Sequence, residues 1–253
     1  MQLIQLIIDG VASGCIYGLV ALGFVLIYKA TETINFAQGD ILMLGAFVAF
    51  SLIGVLGMNY IVGFILTVMI IAVFGFFLDA VVVRQIIGQP AFATVMLTIG
   101  LGFIFRGFAS IYWGTDIFSF STPFSGKITE VGGLIISYVN ISIIVGTTLL
   151  MGILFAFFSF TKIGVAMRAS SENQLAAYYM GIPVKFIFSL IWSISAGVAA
   201  IAGVLLAPIT LVDTSISLIG LKAFAAAVLG GFGSIPGAIV GGIIIGIVEQ
   251  LCG

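Results

Sequence analysis

Apolar runs of membrane-spanning length follow one another along this chain, and they leave it few folds. A helix needs about 20 apolar residues to cross the hydrocarbon core of a bilayer. In lipid every backbone polar group must also find its partner within the protein. Successive runs fit that length: Leu3–Tyr28, Ile34–Leu56, Tyr60–Val83, Ala91–Trp113, Val139–Phe160 and Phe186–Ala207. The remainder, Leu218–Gly253, is broken by glycines. It predicts a half-helix over Leu218–Leu229, a bend at Gly230-Gly231-Phe232-Gly233 and a helix from Pro236 to Leu251. Of the 253 residues, 62% are hydrophobic and 7% charged, where soluble domains carry about 25% charged residues. Lipid is therefore the solvent. The expected fold is all-α: a single transmembrane domain over residues 1–253, a polytopic bundle of about seven membrane segments that includes broken or re-entrant helices.

Composition removes several classes of function. With no His and only two Cys, no ligand set for zinc, haem or an iron–sulfur cluster is expected. Nor is a Ser–His or Cys–His nucleophile, so no catalytic or metal-binding residue is assigned. Cys15 and Cys252 lie in apolar runs, where inert thiols are common. A net charge of -1 gives no basic patch for nucleic acid. Ala12-Ser13-Gly14-Cys15 has a faint likeness to a lipoprotein cleavage site. No Lys or Arg precedes it and the apolar run continues to Tyr28, so the segment reads as a retained helix. Alternating the segments puts Lys29, Arg84, Lys162, Arg168 and Lys185 on one side and Lys127 on the other. The positive-inside rule then sets the N-terminus outside and Thr161–Lys185 in the cytoplasm, provided Ile34–Leu56 spans fully.

Small and polar residues within the runs are the candidates for packing and passage. Gly10, Gly14 and Gly18 recur at every fourth position, as do Gly233, Gly237 and Gly241, with Gly242 and Gly246 on an adjacent stripe. Such spacing lets helix backbones approach closely in lipid. Internal packing is the favoured reading, and a subunit interface or a moving seam the sharper alternative. Ionisable groups at membrane depth are costly and mark function. Arg106 snorkels to the outer interface or pairs with an acid such as Asp79 or Asp40, ahead of a direct contact with a substrate. Asn35, Gln38 and Asp40 open the second run within NFAQGD. Asn35 suits a helix cap and Asp40 the positive end of a helix; the alternative is that they line a pathway. Lys222 reads as a snorkelling side chain.

The stretch KIGVAMRASSENQLAAYYMGIPVKFIF places helix formers between cations. Ser170 or Ser171 is the expected cap of a helix running through Glu172 to Tyr179; Gly181 ends it and Pro183 lies just beyond. Chemistry alone leaves this helix as a connector or as a docking element. RASSENQLAAYYMGI, however, resembles the coupling loop of ABC-importer permeases, in the variant EAA-and-Gly form of the branched-chain amino acid family. The runs GVASGCIYGLVALGFVLIYKATETINFAQGDILMLGAF, TIGLGFIFRG, Lys162 to Pro208 and GLKAFAAAVLGGFGSIPGAIVGG resemble the same family in the same order, over most of the chain.

The resemblance implies an ABC type II importer-like permease domain in a bacterial or archaeal inner membrane. Its implied partners are two cytoplasmic ATPase subunits, which bind the ATP, a second permease subunit forming a heterodimer, and an extracytoplasmic substrate-binding protein. It also implies that the loop over residues 161–185 meets the ATPase through Arg168, Ala169, Glu172, Asn173, Ala176, Ala177, Gly181 and Ile182. The implied task is passage of Leu, Ile or Val, with no cofactor and no covalent chemistry in the permease itself. Related permeases carry urea, amides or other amino acids. A secondary transporter would need an ion-coupling site, and a passive channel would conduct without ATP. The family pattern has a further membrane helix after the position of Glu249, so a truncated chain is expected.

Overall fold

The computed structural model describes residues 2–86, 89–120, 122–131 and 134–252. Helix α1 spans Gln2–Thr31. Helix α2, Gln38–Ala49, continues as a π-helical turn over Phe50–Val55, and α3, Tyr60–Val81, ends in a 3-10 turn at Val83–Ile86. Then follow α4 (Ala91–Tyr112), strands β1 (Ile128–Val131) and β2 (Leu134–Ser137), α5 (Tyr138–Phe160), α6 (Lys162–Glu172), α7 (Gln174–Tyr179) and α8 (Val184–Leu206). A 3-10 turn at Thr214–Leu218 leads into α9 (Ile219–Gly230), and α10 covers Ile235–Cys252.

Among the described residues seven helices are long and apolar enough to cross a membrane, and Thr214–Gly230 is a shorter apolar helix. The polytopic helical fold expected from the apolar runs is what forms. A single short hairpin accompanies the helices among the described residues. β1 and β2 make an antiparallel hairpin with Ile128 opposite Ser137 and Val131 opposite Leu134. The β-branched residues of ITEV and LIIS suit a strand. Beyond the spans water can satisfy the hairpin's edges, so the lipid constraint that enforces helices is lifted there.

Helix α1 is the hub, with Ile16, Leu19, Val20, Leu22 and Val25 fully buried. It packs along α10 through a seam of small residues. A Cβ at Gly10 would come within 2.8 Å of the Ile247 Cα, at Gly14 within 2.6 Å of the Ile243 Cα, and at Gly18 within 3.0 Å of the Ile239 Cα. The residues of α10 that complete this seam are Gly242 and Gly246. Gly237 and Gly241 face α9 instead, against Gly230 and Ala226, and Gly233 has nothing within 4 Å of its Cβ position. Gly233 lies in the turn before α10, because the helix starts only at Ile235. Around this hub α3, α4 and α5 expose Ile65, Met69, Phe77, Phe103, Ile111, Leu149 and Phe155. A surface of this kind suits lipid, which is as apolar as the side chains it meets.

The bundle has two chemically distinct ends. At one, Arg84 donates to the Lys185 carbonyl oxygen, and Lys29 and Arg168 line one cleft with Gly233. At the other, Asp9 of α1 accepts from Asn140 at the start of α5, next to the hairpin that carries Lys127. Two segments connect these ends without a continuous helix. Ile34–Ala37 enters unwound and α2 begins only beside Ser195, at the middle of α8. Val212 bridges to Phe118, after which the 3-10 turn and α9 run toward Tyr28 near the end of α1, whose ring meets Phe232. The two half-helices start at the same depth, where a Cβ on Gly220 would lie 2.8 Å from the Gly39 Cα.

Candidate functional site

The unwound entry to α2 is held by side chains that replace the missing helical hydrogen bonds. The Asn35 Oδ1 accepts from the Ala37 N–H at 3.1 Å, and its Nδ2 donates to the Gln38 Oε1 at 3.2 Å. The Gln38 Nε2 donates to the Ser195 carbonyl at 3.2 Å, and the Ser195 Oγ donates to the Gly23 carbonyl at 3.0 Å. The Phe36 N–H donates to the Thr98 Oγ1 at 3.2 Å. These contacts tie α1, α2, α4 and α8 at one depth and satisfy polar groups of the non-helical backbone, as lipid demands. Asn35 was a candidate helix cap. The cap position is Ala37, which makes no side-chain cap. Asn35 acts two residues earlier, where Phe36 and Ala37 form a turn closed by the Gln38 N–H donating to the Asn35 carbonyl at 3.2 Å.

Asp40, in the first turn of α2, meets Arg106 of α4. The Arg106 Nε lies 2.6 Å from Asp40 Oδ1, and its Nη2 lies 3.4 Å from Oδ2. The Asp40 side chain is 2% exposed and that of Arg106 39%. Gly102, one turn before Arg106, leaves the space that the carboxylate fills, since a Cβ there would overlap Oδ2. The guanidinium also lies 5.4 Å from the centre of the Phe103 ring, a cation–π contact. Of the two sequence readings of Arg106, the structure has the pair, with Asp40 rather than Asp79.

The pair opens on a cavity of about 360 Å³. Phe24, Phe36 and Phe224 form one wall, with ring centroids 5.8 Å and 5.3 Å apart for Phe24–Phe224 and Phe36–Phe224. Ile99, Phe103 and the start of α9 at Ser217–Gly220 complete it. The first N–H groups of a helix have no intrahelical partner and carry its positive end. The start of α2 is one such end, whereas α9 is entered from the 3-10 turn with Leu218 already helical.

A second ionic group flanks α9 on its other side. The Lys222 Nζ lies 2.6 Å from Glu249 Oε1, and the Tyr17 hydroxyl donates to Glu249 Oε2 at 2.7 Å. Lys222 is thus paired rather than merely snorkelling, though its side chain is 47% exposed and that of Glu249 38%.

At the cationic end Asp79, buried in α3, ion-pairs with Arg84 at 3.5 Å and accepts from the Ser189 Oγ at 2.7 Å. This network joins the end of α3 to the first turns of α8, directly after α6 and α7. The Thr161 Oγ1 caps α6 by accepting from the Gly164 N–H at 2.9 Å, and the Asn173 Oδ1 caps α7 by accepting from the Ala176 N–H at 2.9 Å. The capping residue expected at Ser170 or Ser171 is therefore Asn173. Ser170 is buried inside α6, and the Ser171 Oγ donates back to the Met167 carbonyl at 2.9 Å. The helix began earlier than its sequence signal, at Lys162, because Thr161 supplies a cap directly after α5. The exit follows the sequence reading. Gly181 holds φ at +81°, its N–H donates to the Tyr178 carbonyl and the Ile182 N–H donates to that of Ala177, both at 3.0 Å. This is a Schellman ending.

Of the residues singled out here, Arg168, Glu172, Asn173, Ala176 and Gly181 are exposed, Ala169 and Ile182 partly so, and Ala177 is buried. Four more stand out on the same helix end. Leu175, Tyr178, Tyr179 and Met180 are 69%, 68%, 82% and 83% exposed. Their signal was an aromatic pair followed by Met inside an otherwise polar loop.

Membrane-length helices, two of them broken so that their ends frame a charged cavity, together define a multi-pass helical membrane protein of the permease type. The chain belongs to the family described as branched-chain amino acid transport system / permease component, whose model matches residues 6–253. It is similar to the high-affinity branched-chain amino acid transport system permease protein BraD of Pseudomonas aeruginosa, at 31% identity over 97% of this chain and 85% of that protein. It is also similar to the permease protein LivH of Escherichia coli, at 32% identity over 99% of this chain and 86% of that one. A probable branched-chain amino acid transport permease protein LivH of Methanocaldococcus jannaschii is 31% identical over 92% of this chain and 76% of its own. No solved structure matches the chain.

Proposed function

We propose that this chain is the permease subunit of an ATP-driven importer that moves Leu, Ile or Val inward across the cell membrane. It works with two cytoplasmic ATPases, a second permease subunit and an extracytoplasmic binding protein. The chain does no covalent chemistry; ATP hydrolysis belongs to the partners. The observation that carries this reading is the capped helix pair α6–α7, which holds exposed Tyr178, Tyr179 and Met180 at the cation-rich end of the bundle. The positive-inside rule puts that end in the cytoplasm and the N-terminus outside.

In this reading α7 is the element an ATPase pushes. Arg168, Glu172, Asn173 and Ala176 give it a polar rim around the apolar tip, while Ala177, Gly181 and Ile182 hold its shape. Closure of the ATPases moves α7, and the Arg84–Asp79–Ser189 network passes the displacement to α3 and α8. Helix α8 carries Ser195, the partner of Gln38 at the start of α2. A two-state packing of this kind is what nucleotide binding can bias. The test is reconstitution of the chain with its ATPases and binding protein in proteoliposomes. Labelled leucine should accumulate only with ATP and with the binding protein. Accumulation driven by an ion gradient without ATP would instead make the chain a secondary transporter. Uptake of urea or an amide in place of leucine would change the substrate.

A further inference from the structure

At the cationic end a cleft of about 890 Å³ opens between α3 and the junction of α7 with α8. Phe76 and Ala80 of α3 and Phe186 of α8 form an apolar wall, with the Phe76 and Phe186 ring centroids 5.9 Å apart. Arg84 and Lys185 form a cationic rim, and Leu175 and Tyr178 of α7 border it. We propose that this cleft holds one anionic phospholipid, with the phosphate on Arg84 and Lys185 and the upper acyl chains against the apolar wall. The site does not depend on which solute the chain passes.

The order of polarity along the cleft carries this inference. Ala80 and Phe76 precede Arg84 by one and two helical turns, so they lie about 6 Å and 12 Å further into the bundle, at 1.5 Å per residue. On α8 the order is the same: Lys185 stands in the first turn and Phe188, which also lines the cleft, about one turn deeper. A phospholipid has this order too, charge at the interface and hydrocarbon below it. On the neighbouring face of α3, Val73, Phe77 and Val81 are 54%, 59% and 57% exposed. Acyl chains leaving the cleft therefore meet a surface already suited to lipid.

Charge decides the headgroup. The acid facing Arg84 is Asp79, 3.5 Å from Nη2, and no acid is among the residues described as lining the cleft. Two cations against one acid leave a single positive charge, which one phosphodiester neutralises. Arg84 reaches Asp79, the Lys185 carbonyl and Ser189 through Nη2. A guanidinium has five N–H donors, so Nη1 is left for a phosphate oxygen. The Lys185 side chain is exposed, with no partner for its Nζ among the described residues. A choline headgroup would bring a further positive charge against this rim. Basic pockets between helices at the cytoplasmic surface suit anionic headgroups. Tyr179 and Met180 lie outside the cleft lining and stay available to a cytoplasmic partner.

The experiment is native mass spectrometry of the full chain, incubated in detergent with phosphatidylglycerol or with phosphatidylcholine of the same acyl chains. The parent should retain one phosphatidylglycerol at least fivefold more often than phosphatidylcholine. Lys185→Gln should lower that retention threefold or more. Lys162→Gln removes an exposed cation from the same end but outside the cleft lining, and should leave retention largely unchanged. Both side chains are exposed, so both variants should fold as the parent does. Millimolar inorganic phosphate should not displace the lipid. Equal retention of the two lipids, or equal loss in the two variants, would overturn the site. Displacement by phosphate would overturn it in favour of a soluble anion. Release of the lipid on binding of the ATPases would overturn it as well, because the cleft would then be part of their seat.

Discussion

Gly181 holds a φ of +81° where α7 ends, and an L side chain in that region costs about 1–2 kcal/mol. Gly181→Val should fray the last turn of α7, unseat Tyr178 and Tyr179, and reduce the ATPase recovered with the chain. Gly181→Asn should largely retain it, because Asn tolerates the left-handed conformation. Comparing ATPase yield with the folded fraction of the chain separates loss of docking from loss of fold. Arg84 makes a different demand. Truncating it to Ala leaves Asp79, 1% exposed, as a buried carboxylate with only the Ser189 hydroxyl to stabilise it. Breaking a buried pair in this way costs about 3 kcal/mol, which should appear as a lowered unfolding temperature in detergent. Asp79→Asn in the same background should recover part of that loss.

Where α1 meets α10, no side chain separates the two backbones. Gly14→Val would force atoms into a gap where even a Cβ comes within 2.6 Å of the Ile243 Cα. Overpacking of this kind costs about 1–3 kcal/mol. Gly233→Ala, four residues from Gly237 in sequence and on the same expected stripe, meets nothing within 4 Å and should leave the unfolding temperature unchanged. Side-by-side thermal unfolding of the two variants tests whether position in the fold, rather than spacing in the chain, decides the effect. The unwound entry to α2 obeys the same logic. It gives up helical hydrogen bonds in lipid, and the Asn35, Gln38 and Ser195 contacts replace them.

The bundle as a whole has a cationic end that carries Arg84, Arg168 and Lys185 and an opposite end that carries the β1–β2 hairpin. Their proposed sides of the membrane are open to direct test. A membrane-impermeant thiol reagent should label Lys127→Cys in intact cells and Tyr179→Cys only after the membrane is opened, both positions being exposed. The reverse pattern would invert the molecule and remove α7 from reach of a cytoplasmic ATPase.

Most of the architecture was legible from the chain alone, because lipid permits few solutions. Apolar runs of bilayer length must become helices, and Tyr60–Val81, Ala91–Tyr112 and Tyr138–Phe160 lie close to their sequence-read limits. The Gly181–Pro183 exit of α7 was legible for a similar reason, since only local backbone chemistry is involved. What spacing could not decide was partnership. Whether Arg106 meets Asp40 or Asp79, whether Gly242 rather than Gly233 faces α1, and whether Lys222 finds Glu249 all depend on how helices rotate and slide against one another. That Asp40, Arg106 and three phenylalanines surround one cavity is decided there too, because residues from α1, α2, α4 and α9 become neighbours only when two broken helices start at the same depth. The sequence by itself determined that this protein spans a membrane and in which segments; the tertiary packing decided which charges those segments bring together.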